Sequence, residues 1–248
     1  MSPELAREST LGICGIKALT FDVFGTVVDW RTSISAEGRR LGEAKGIQAD
    51  WVAFADAWRG GYTPAMDSVR SGYLPWTNID GLHRIILDNI LDEFGIVSLT
   101  EEDRDEFNRA WHRLDPWPDV VPGLSRLKTD FLIATLSNGN VALLTNMAKR
   151  AGLLWDCVLS AEHSGHYKPD PEVYIKAAQL LGLRIEQVMM VAAHSFDLVA
   201  ASEAGLRTAF VSRPNEYGNP ALADTPPADT FDLHADNFDD LASQLNCL

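Results

Sequence analysis

The sequence predicts an α/β fold in which a parallel β-sheet is flanked by helices and carries a helical insert. Two observations support this prediction. Short apolar segments that are typical of buried strands alternate with amphipathic helical patterns along most of the chain, and such alternation favours βαβ units and a parallel sheet. One stretch, residues 30–117, has helical patterns but no convincing strand, which favours an all-helical subdomain.

The strand candidates of the sheet are short and apolar. The first spans residues 16–22 (IKALTFD), ends in a carboxylate and runs into a turn at Gly25. The others are residues 131–137, 157–160, 188–193 and 208–211. Helical patterns between them cover residues 141–152, 171–182 and 196–205, and a short amphipathic helix follows a polar loop at residues 213–230.

The helical stretch directly follows the first strand candidate and contains six of the seven tryptophans. In one of its patterns, apolar residues recur at helical spacing and form a stripe suited to packing inside the subdomain. The stripe consists of Trp51, Phe54, Ala55, Trp58 and Tyr62. We therefore predict a Rossmann-like core made of residues 1–29 and 118–248, with a helical cap of residues 30–117 inserted after the first strand.

The charge and composition of the chain exclude several classes of partner. A formal net charge of -14 over 248 residues argues against binding to nucleic acid or to an anionic membrane surface. No apolar run approaches the roughly 18 residues of a membrane span, and the first ten residues lack the apolar stretch of a signal peptide. Three cysteines without metal-ligand spacing are typical of reduced thiols. We therefore expect a cytoplasmic protein that acts on a small molecule.

Chemically useful side chains follow several strand candidates. Asp22, Ser137 and Asp197 lie at or just after strand ends, and Lys168 lies in the loop after another strand. In parallel sheets these ends form the ligand site. A carboxylate can act as a nucleophile, a lysine can hold its charge, and a second carboxylate can activate water. Spacing alone does not decide for catalysis, because strand-end aspartates are also common turn formers.

Four segments resemble, in order and at similar spacing, the four motifs of the haloacid dehalogenase superfamily. They are FDVFGTVVDW (residues 21–30), LSNGN (136–140), YKPDPEVY (167–174) and VAAHSFD (191–197). The resemblance covers roughly residues 16–245 and implies that the helical insert is the cap of this family. It further implies that Asp22 is the nucleophile, and that Ser137, Lys168 and Asp197 are the key residues of the later motifs.

Two positions depart from the phosphatases of this superfamily. Those enzymes have an aspartate two residues after the nucleophile as a general acid, where this chain has Phe24. They also use a carboxylate about four residues before Asp197 to help hold Mg²⁺, where this chain has Ala193. Because Mg²⁺ prefers several oxygen ligands, the comparison implies a site without a metal. A halogenated acid is a monoanion whose halide leaves without a proton, and its displacement needs neither missing group.

The finer detail resembles the 2-haloacid dehalogenase branch. The matching positions are Phe24, Gly25 and Thr26 after the nucleophile, Arg59 on a cap helix, Ser137 and Asn138 in the second motif, and Tyr174 after the lysine. The fourth motif departs from the best-known members, because Ala192 and His194 stand where those have serine and asparagine. We expect His194 to take over part of the task of holding water.

The resemblance thus implies two sets of site residues and no metal ligand. The implied catalytic residues are Asp22, Lys168, Asp197, Ser137, Arg59 and Thr26. The implied substrate-binding residues are Asn138, Arg59, Tyr174, His194 and Phe24.

The function predicted from the sequence is hydrolytic dehalogenation of short 2-haloalkanoic acids, such as haloacetate or L-2-chloropropionate, to 2-hydroxy acids. It proceeds through an ester on Asp22 without metal or cofactor, and the resemblance suggests a homodimer. One alternative is a phosphatase of the same superfamily with an unusual metal site, which a magnesium requirement would favour. Another is a non-catalytic binding protein of the same fold, against which the intact Asp22, Lys168 and Asp197 argue.

Overall fold

The computed structural model describes residues 15–247. Its strands are β1 (Ala18–Phe21), β2 (Val28–Asp29), β3 (Asp115–Pro116), β4 (Leu132–Ser137), β5 (Cys157–Ser160), β6 (Val188–Ala192), β7 (Arg207–Val211) and β8 (Leu233–Ala235). Its α-helices are α1 (Trp30–Lys45), α2 (Trp51–Gly60), α3 (Tyr62–Arg70), α4 (Ile79–Glu93), α5 (Glu101–Asn108), α6 (Val120–Asp130), α7 (Val141–Ala151), α8 (Pro171–Leu180), α9 (Ser195–Glu203) and α10 (Phe238–Gln244). Residues 1–14 and 248, which the prediction assigns to the core, lie outside the described residues.

The main sheet has six parallel strands in the order β5-β4-β1-β6-β7-β8. The predicted α/β class is therefore confirmed, and five of these strands coincide with the strand candidates. β1 lies between β4 and β6, and Phe21 near its end is in register with Thr135 and Val191. The chain leaves β1 towards one edge of the sheet and returns on the other side at β6. β1 thus marks the switch in strand order, where open α/β sheets place their ligand sites.

The sequence pattern does not predict two elements of the core. β8 is only three residues long and pairs with β7 at the edge of the sheet, so it is too short to show a periodic pattern. α6 has the sequence VVPGLSRLKTD, in which proline and glycine lower the helix propensity of the first turn. β8 forms because it pairs with β7, and α6 forms because its apolar side packs against one face of the sheet.

Different helices cover the two faces of the sheet. Because alternate residues of a strand point to opposite faces, Met189 and Val191 of β6 belong to one apolar cluster, whereas Val188, Met190 and Ala192 belong to another. Helices α6, α7 and α10 contribute to the first cluster, and α8 and α9 contribute to the second. Since both faces are covered, a site can open only at the ends of the strands.

Helices α1 to α5 fill the chain between β2 and β3. β2 and β3 pair antiparallel and so bring the two ends of this insert together. The whole predicted apolar stripe is buried, although it is divided between α2 and α3. It belongs to the same apolar cluster as one face of the sheet, so the insert and the sheet share a continuous interior. The division into a core and a cap of residues 30–117 stays a prediction. No helix within residues 15–247 combines the length and apolar character that a membrane crossing requires.

Candidate active site

Four residues singled out in the sequence lie together at the carboxyl ends of the strands. Asp22 directly follows β1, and Ser137 ends β4. Asp197 lies in the first turn of α9, and Lys168 lies in the loop between β5 and α8. Because β1 is flanked by β4 and β6, all four side chains reach one small cavity of about 30 Å³.

Lys168 connects the two carboxylates of this cluster. Its Nζ donates a hydrogen bond to Oδ1 of Asp22 at 2.9 Å and another to Oδ2 of Asp197. The hydroxyl of Tyr174 donates to the other oxygen of Asp197. All four side chains are buried, with Lys168 only 4% exposed. A buried lysine at this position offsets the repulsion that two close carboxylates would otherwise have.

The mutual pairing sets the charge of each group. Burial alone raises the pKa of Asp22, but the charge of Lys168 and a hydrogen bond from His194 outweigh it and hold that pKa well below its ordinary value. Burial lowers the pKa of Lys168, whereas Asp197 and Asp22 raise it above its ordinary value. Burial raises the pKa of Asp197, although Lys168 opposes this effect. Asp22 is therefore a carboxylate and Lys168 an ammonium at neutral pH.

Thr26 fixes the orientation of the Asp22 carboxylate. Its hydroxyl donates to Oδ2 of Asp22 at 2.7 Å and accepts a hydrogen bond from the backbone N–H of Ala193 at 2.9 Å. The backbone carbonyl of Thr26 accepts from Nε of Arg213 at 2.8 Å. Because its backbone and side chain are both held, Thr26 offers its proton to Asp22 in a single direction.

A histidine and a glutamate extend the cluster on the side away from Lys168. Nδ1 of His194 lies 3.2 Å from Oδ2 of Asp22, and its Nε2 lies 3.0 Å from Oε2 of Glu216. The indole of Trp30 donates to the other oxygen of Glu216 at 3.1 Å. A Cβ at Gly25 would lie 2.1 Å from Oε1 of Glu216, so glycine at this turn leaves the room that the glutamate needs.

His194 is protonated in this arrangement. Burial lowers its pKa, but the hydrogen bonds to Asp22 and Glu216 outweigh burial and raise that pKa to about 10. Both ring N–H groups of the imidazolium then donate to carboxylates. The sequence motifs point to His194 but not to Glu216, because the glutamate lies in the polar loop of residues 213–230 and belongs to no motif.

Arg59 faces the cluster from the cap. It lies in the last turn of α2, and its guanidinium carbon is 4.4 Å from the centre of the Tyr62 ring and 5.8 Å from that of Trp30. Within residues 15–247 this guanidinium has no carboxylate partner. Aromatic faces attract a cation without using its N–H donors, so Arg59 retains donors for a bound anion.

Comparison with known proteins shows the family of this chain. The family model of the haloacid dehalogenase-like hydrolases matches residues 16–205. The chain belongs to this family. One curated relative, (S)-2-haloacid dehalogenase 1 of Pseudomonas sp. (strain CBS-3), is 28% identical over 82% of this chain and 88% of its own length.

Two solved structures are closer in sequence to this hydrolase. The defluorinating L-2-haloacid dehalogenase Rha0230 is 45% identical, with a TM-score of 0.90, and covers 94% of this chain and 96% of its own. The L-2-haloacid dehalogenase PA0810 is also 45% identical, with a TM-score of 0.89, and covers 94% of this chain and 99% of its own.

The other site residues predicted from the sequence of this hydrolase occupy distinct positions. Phe24 and Ser137 line the small cavity at Asp22. Asn138 lines it too, but its amide also bonds to the backbone of Lys168, accepting from N–H at 2.6 Å and donating to the carbonyl at 3.3 Å. Tyr174 is fully buried behind Asp197 and is not among the residues lining the cavity, so its position suits orienting Asp197 rather than touching a substrate.

The small cavity adjoins a larger one. The outer cavity has a volume of about 780 Å³ and lies between the cap and the ends of the strands. The two cavities share the wall formed by Arg59, Tyr62, Asn138, Lys168 and Phe196. We call them the inner chamber, which contains Asp22, and the outer chamber, which does not.

Proposed function

We propose that this hydrolase converts short 2-haloalkanoic acids to 2-hydroxy acids by displacing the halide with the carboxylate of Asp22. One observation carries the proposal: a buried, ionised carboxylate held by Lys168 shares a chamber with Arg59, a cation without a carboxylate partner in residues 15–247. A carboxylate can act as a nucleophile, and a guanidinium with unused donors can bind a leaving anion. The names of the relatives and solved structures given above support the same chemistry.

In the first step an oxygen of Asp22 attacks C2 of the substrate. The C2–oxygen bond forms as the C2–halogen bond breaks, and the halide leaves with the electron pair towards Arg59. Ser137 binds the substrate carboxylate, because its Oγ accepts from the N–H of Gly139 at 3.1 Å and keeps its own proton to donate. Fixed donors in a small chamber stabilise the developing charge without reorganisation. The configuration at C2 is inverted.

In the second step water attacks the carbonyl carbon of the Asp22 ester. Asp197 accepts a proton from the water, a task that its raised pKa favours. Lys168 and Tyr174 hold Asp197 in place while it does so. The attack gives a tetrahedral intermediate whose collapse breaks the bond between the Asp22 carbonyl carbon and the C2 oxygen.

The departing C2 oxygen needs a proton, which His194 supplies. The imidazolium gives its Nδ1 proton to this oxygen and recovers one from the Asp22 carboxyl group that the collapse leaves behind. Glu216 lies on the other side of the ring, with Oε2 3.0 Å from Nε2 of His194, and so favours the charged form of the imidazole throughout. The proton taken by Asp197 passes to solvent, so one turnover releases a halide, a 2-hydroxy acid and one proton.

We propose that no metal takes part. The ammonium of Lys168 lies between Asp22 and Asp197 and supplies the positive charge at that point. Phe24 and Ala193 offer no side-chain oxygen, and hard cations such as Mg²⁺ need several oxygen ligands. A phosphatase reaction would also lack a general acid at position 24, a loss that typically costs about 10²–10⁴-fold in rate.

The test is halide release from chloroacetate and from each enantiomer of 2-chloropropionate, with and without exhaustive EDTA treatment. We expect release from chloroacetate and from one enantiomer, the L form by resemblance, with D-lactate as product and no effect of EDTA. Retained configuration would contradict a single in-line displacement. Phosphate-ester hydrolysis that EDTA removes and Mg²⁺ restores, without halide release, would favour the phosphatase alternative.

We further propose that the protein acts in the cytoplasm as a homodimer. The resemblance to the family supports the dimer. The reduced state expected for its cysteines supports the location. Light scattering on the purified protein measures the mass, and a value near that of one 27.3 kDa chain would contradict the dimer.

A further inference from the structure

The space beside the catalytic residues is much larger than a short haloacid needs. The inner chamber measures about 30 Å³, and the outer chamber adds about 780 Å³. Pockets of several hundred cubic ångströms usually hold ligands of drug size, whereas chloroacetate has only a few non-hydrogen atoms. The outer chamber therefore has room for a part of the substrate that the reaction itself does not require.

The side chains that line the outer chamber favour an apolar occupant. Large apolar groups dominate, including Trp30, Met66, Tyr217 and Leu222. Phe196 and Leu222 also line the chamber, and they are 61% and 62% exposed. Exposed apolar side chains gathered around one cavity are typical of a binding surface.

Two charged residues that line the outer chamber away from Asp22, Asp56 and Arg70, are already paired. Asp56 accepts two hydrogen bonds from Arg31, at 2.7 and 2.8 Å. Arg70 pairs with Asp67 at 3.0 Å and with Asp170 at 3.2 Å, and it also donates to the backbone carbonyl of Lys168. Neither side chain needs a charge on the ligand.

The one cationic residue of this lining without a carboxylate partner in residues 15–247 is Arg59, whereas Lys168 is paired with Asp22 and Asp197. Arg59 and Lys168 belong to the wall shared with the inner chamber, where the reacting end of the substrate binds. The chamber thus has an available cation at one end and, apart from Thr63 and the paired Asp56 and Arg70, mainly apolar groups over the rest, which matches an acid with an apolar tail.

We propose that the outer chamber binds an apolar substituent on C2, so that the enzyme accepts 2-haloacids with alkyl chains of several carbons as well as short ones. This inference rests on the proposed function. The carboxylate and the halogen occupy the inner chamber, and a substituent on C2 extends past the residues that line both cavities into the outer one. Each methylene buried there raises kcat/KM about three- to fourfold.

The test compares (S)-2-bromopropionate, (S)-2-bromobutyrate, (S)-2-bromohexanoate and (S)-2-bromooctanoate by bromide release. For the native enzyme we expect kcat/KM to rise from propionate to hexanoate. The variant Leu222→Gln keeps nearly the same volume but places an amide against the tail. We expect it to lower kcat/KM for hexanoate and octanoate about three- to tenfold, and to leave propionate unchanged.

Leu154→Gln is the matched control. Leu154 is similarly exposed, at 56%, but does not line either chamber, so its variant should show the native dependence on chain length. A native kcat/KM that falls steeply beyond propionate overturns the proposal. An equal loss of kcat/KM at all chain lengths in Leu222→Gln also overturns the proposal.

A binding series separates this inference from the proposed function. Unreactive propionate, butyrate, hexanoate and octanoate are titrated into the native enzyme and into Leu222→Gln, and the dissociation constants are measured by calorimetry. We expect tighter binding with each added methylene in the native enzyme and a shallower dependence in the variant. If no haloacid releases halide, the proposed function fails, and this series still decides for or against the apolar chamber. Equal affinity for acids of all chain lengths overturns the inference of an apolar chamber.

Discussion

The core side and the cap side of the active site are built in opposite ways. On the core side, Lys168 and His194 each lie between two carboxylates. On the cap side, Arg59 lies against the rings of Tyr62 and Trp30, and within residues 15–247 it has no carboxylate partner. The core side thus satisfies its charges internally, whereas the cap side keeps a cation available.

This difference separates the two kinds of work that the site must do. Charges that are paired before the substrate arrives stay in place during bond making, which is how a preorganised site lowers a barrier. A cation that contacts only aromatic rings gains a charged partner when an anion binds or when the halide forms. Changes on the core side should therefore affect bond making and bond breaking, whereas changes on the cap side should affect the departing halide and the selection of substrates.

The largest effect is expected from Asp22→Asn on the core side. The amide has almost the same shape as the carboxylate but is a far poorer nucleophile. Loss of a nucleophile typically costs roughly 10⁴–10⁶-fold in kcat, which a halide-release assay on freshly prepared protein measures. Asp229→Asn, at an exposed position, is the control and should be fully active. Near-native turnover by Asp22→Asn would remove Asp22 from its role.

The next largest effect is expected from Arg59→Lys on the cap side. Both side chains are cations, but the ammonium cannot present the planar set of donors of a guanidinium. Losing a donor to developing charge costs roughly 10²–10³-fold in kcat. Arg39→Lys on the exposed face of α1 is the matched control. If Arg59→Lys releases halide at the rate of this control, the cap side does not assist the leaving group.

The same comparison explains which parts of the site the sequence predicts. Asp22 and Asp197 follow strands whose apolar pattern is evident, and the topology of the sheet then requires their side chains to converge. The family motifs identify Lys168 in the same way. These residues are predictable because short stretches of chain determine both the strand and the side chain at its end.

Other parts of the site depend on contacts between distant segments. Glu216 reaches His194 from a loop that carries no periodic pattern, and it does so past a turn that must contain Gly25. The outer chamber forms from the cap, the loops after β4 and β7, the loop before α8 and the first turn of α9. No local sequence pattern encodes these contacts between distant segments.

A smaller effect on the core side is expected from Glu216→Gln. Glu216 helps to raise the pKa of His194 to about 10, so its removal should lower that pKa. Because a raised histidine pKa keeps the imidazolium present until the pH passes it, the alkaline limb of the kcat profile should move to lower pH in the variant. We expect kcat to fall about tenfold, at the low end of the range for impaired acid–base catalysis.

The change should act on the hydrolysis of the ester rather than on its formation. Mass spectrometry of the enzyme during turnover should therefore find more esterified Asp22 in Glu216→Gln than in the native protein. Glu203→Gln, at an exposed position on α9, serves as the control and should leave both the pH profile and the ester population unchanged. An unaltered alkaline limb in Glu216→Gln would show that His194 is not the titrating group.

The smallest effect is expected where the two sides meet. Asp80 in the first turn of α4 accepts hydrogen bonds from Asn140 at 2.8 Å and from His112 at 2.9 Å, and so ties the cap to the loop that contains Asn138. Asp80→Asn removes the charge and part of this bonding, which should lower the free energy of unfolding by about 1 kcal/mol. We also expect a modest rise in KM with little change in kcat, because the link positions the substrate loop without touching the reacting atoms.

The pH dependence of stability sharpens this last prediction. Burial raises the pKa of Asp80, but the hydrogen bonds from His112 and Asn140 outweigh it and lower that pKa below its ordinary value of 3.8. A carboxyl group with a lowered folded pKa stabilises the fold above its unfolded pKa and loses this contribution as the pH falls through the folded pKa. In urea titrations the free energy of unfolding of the native protein should therefore exceed that of Asp80→Asn by its largest amount at neutral pH. This difference should become smaller in acid. Asp92→Asn, exposed on the same helix, should match the native protein throughout, and an equal loss in both variants would mean that the cap is not fixed through Asp80.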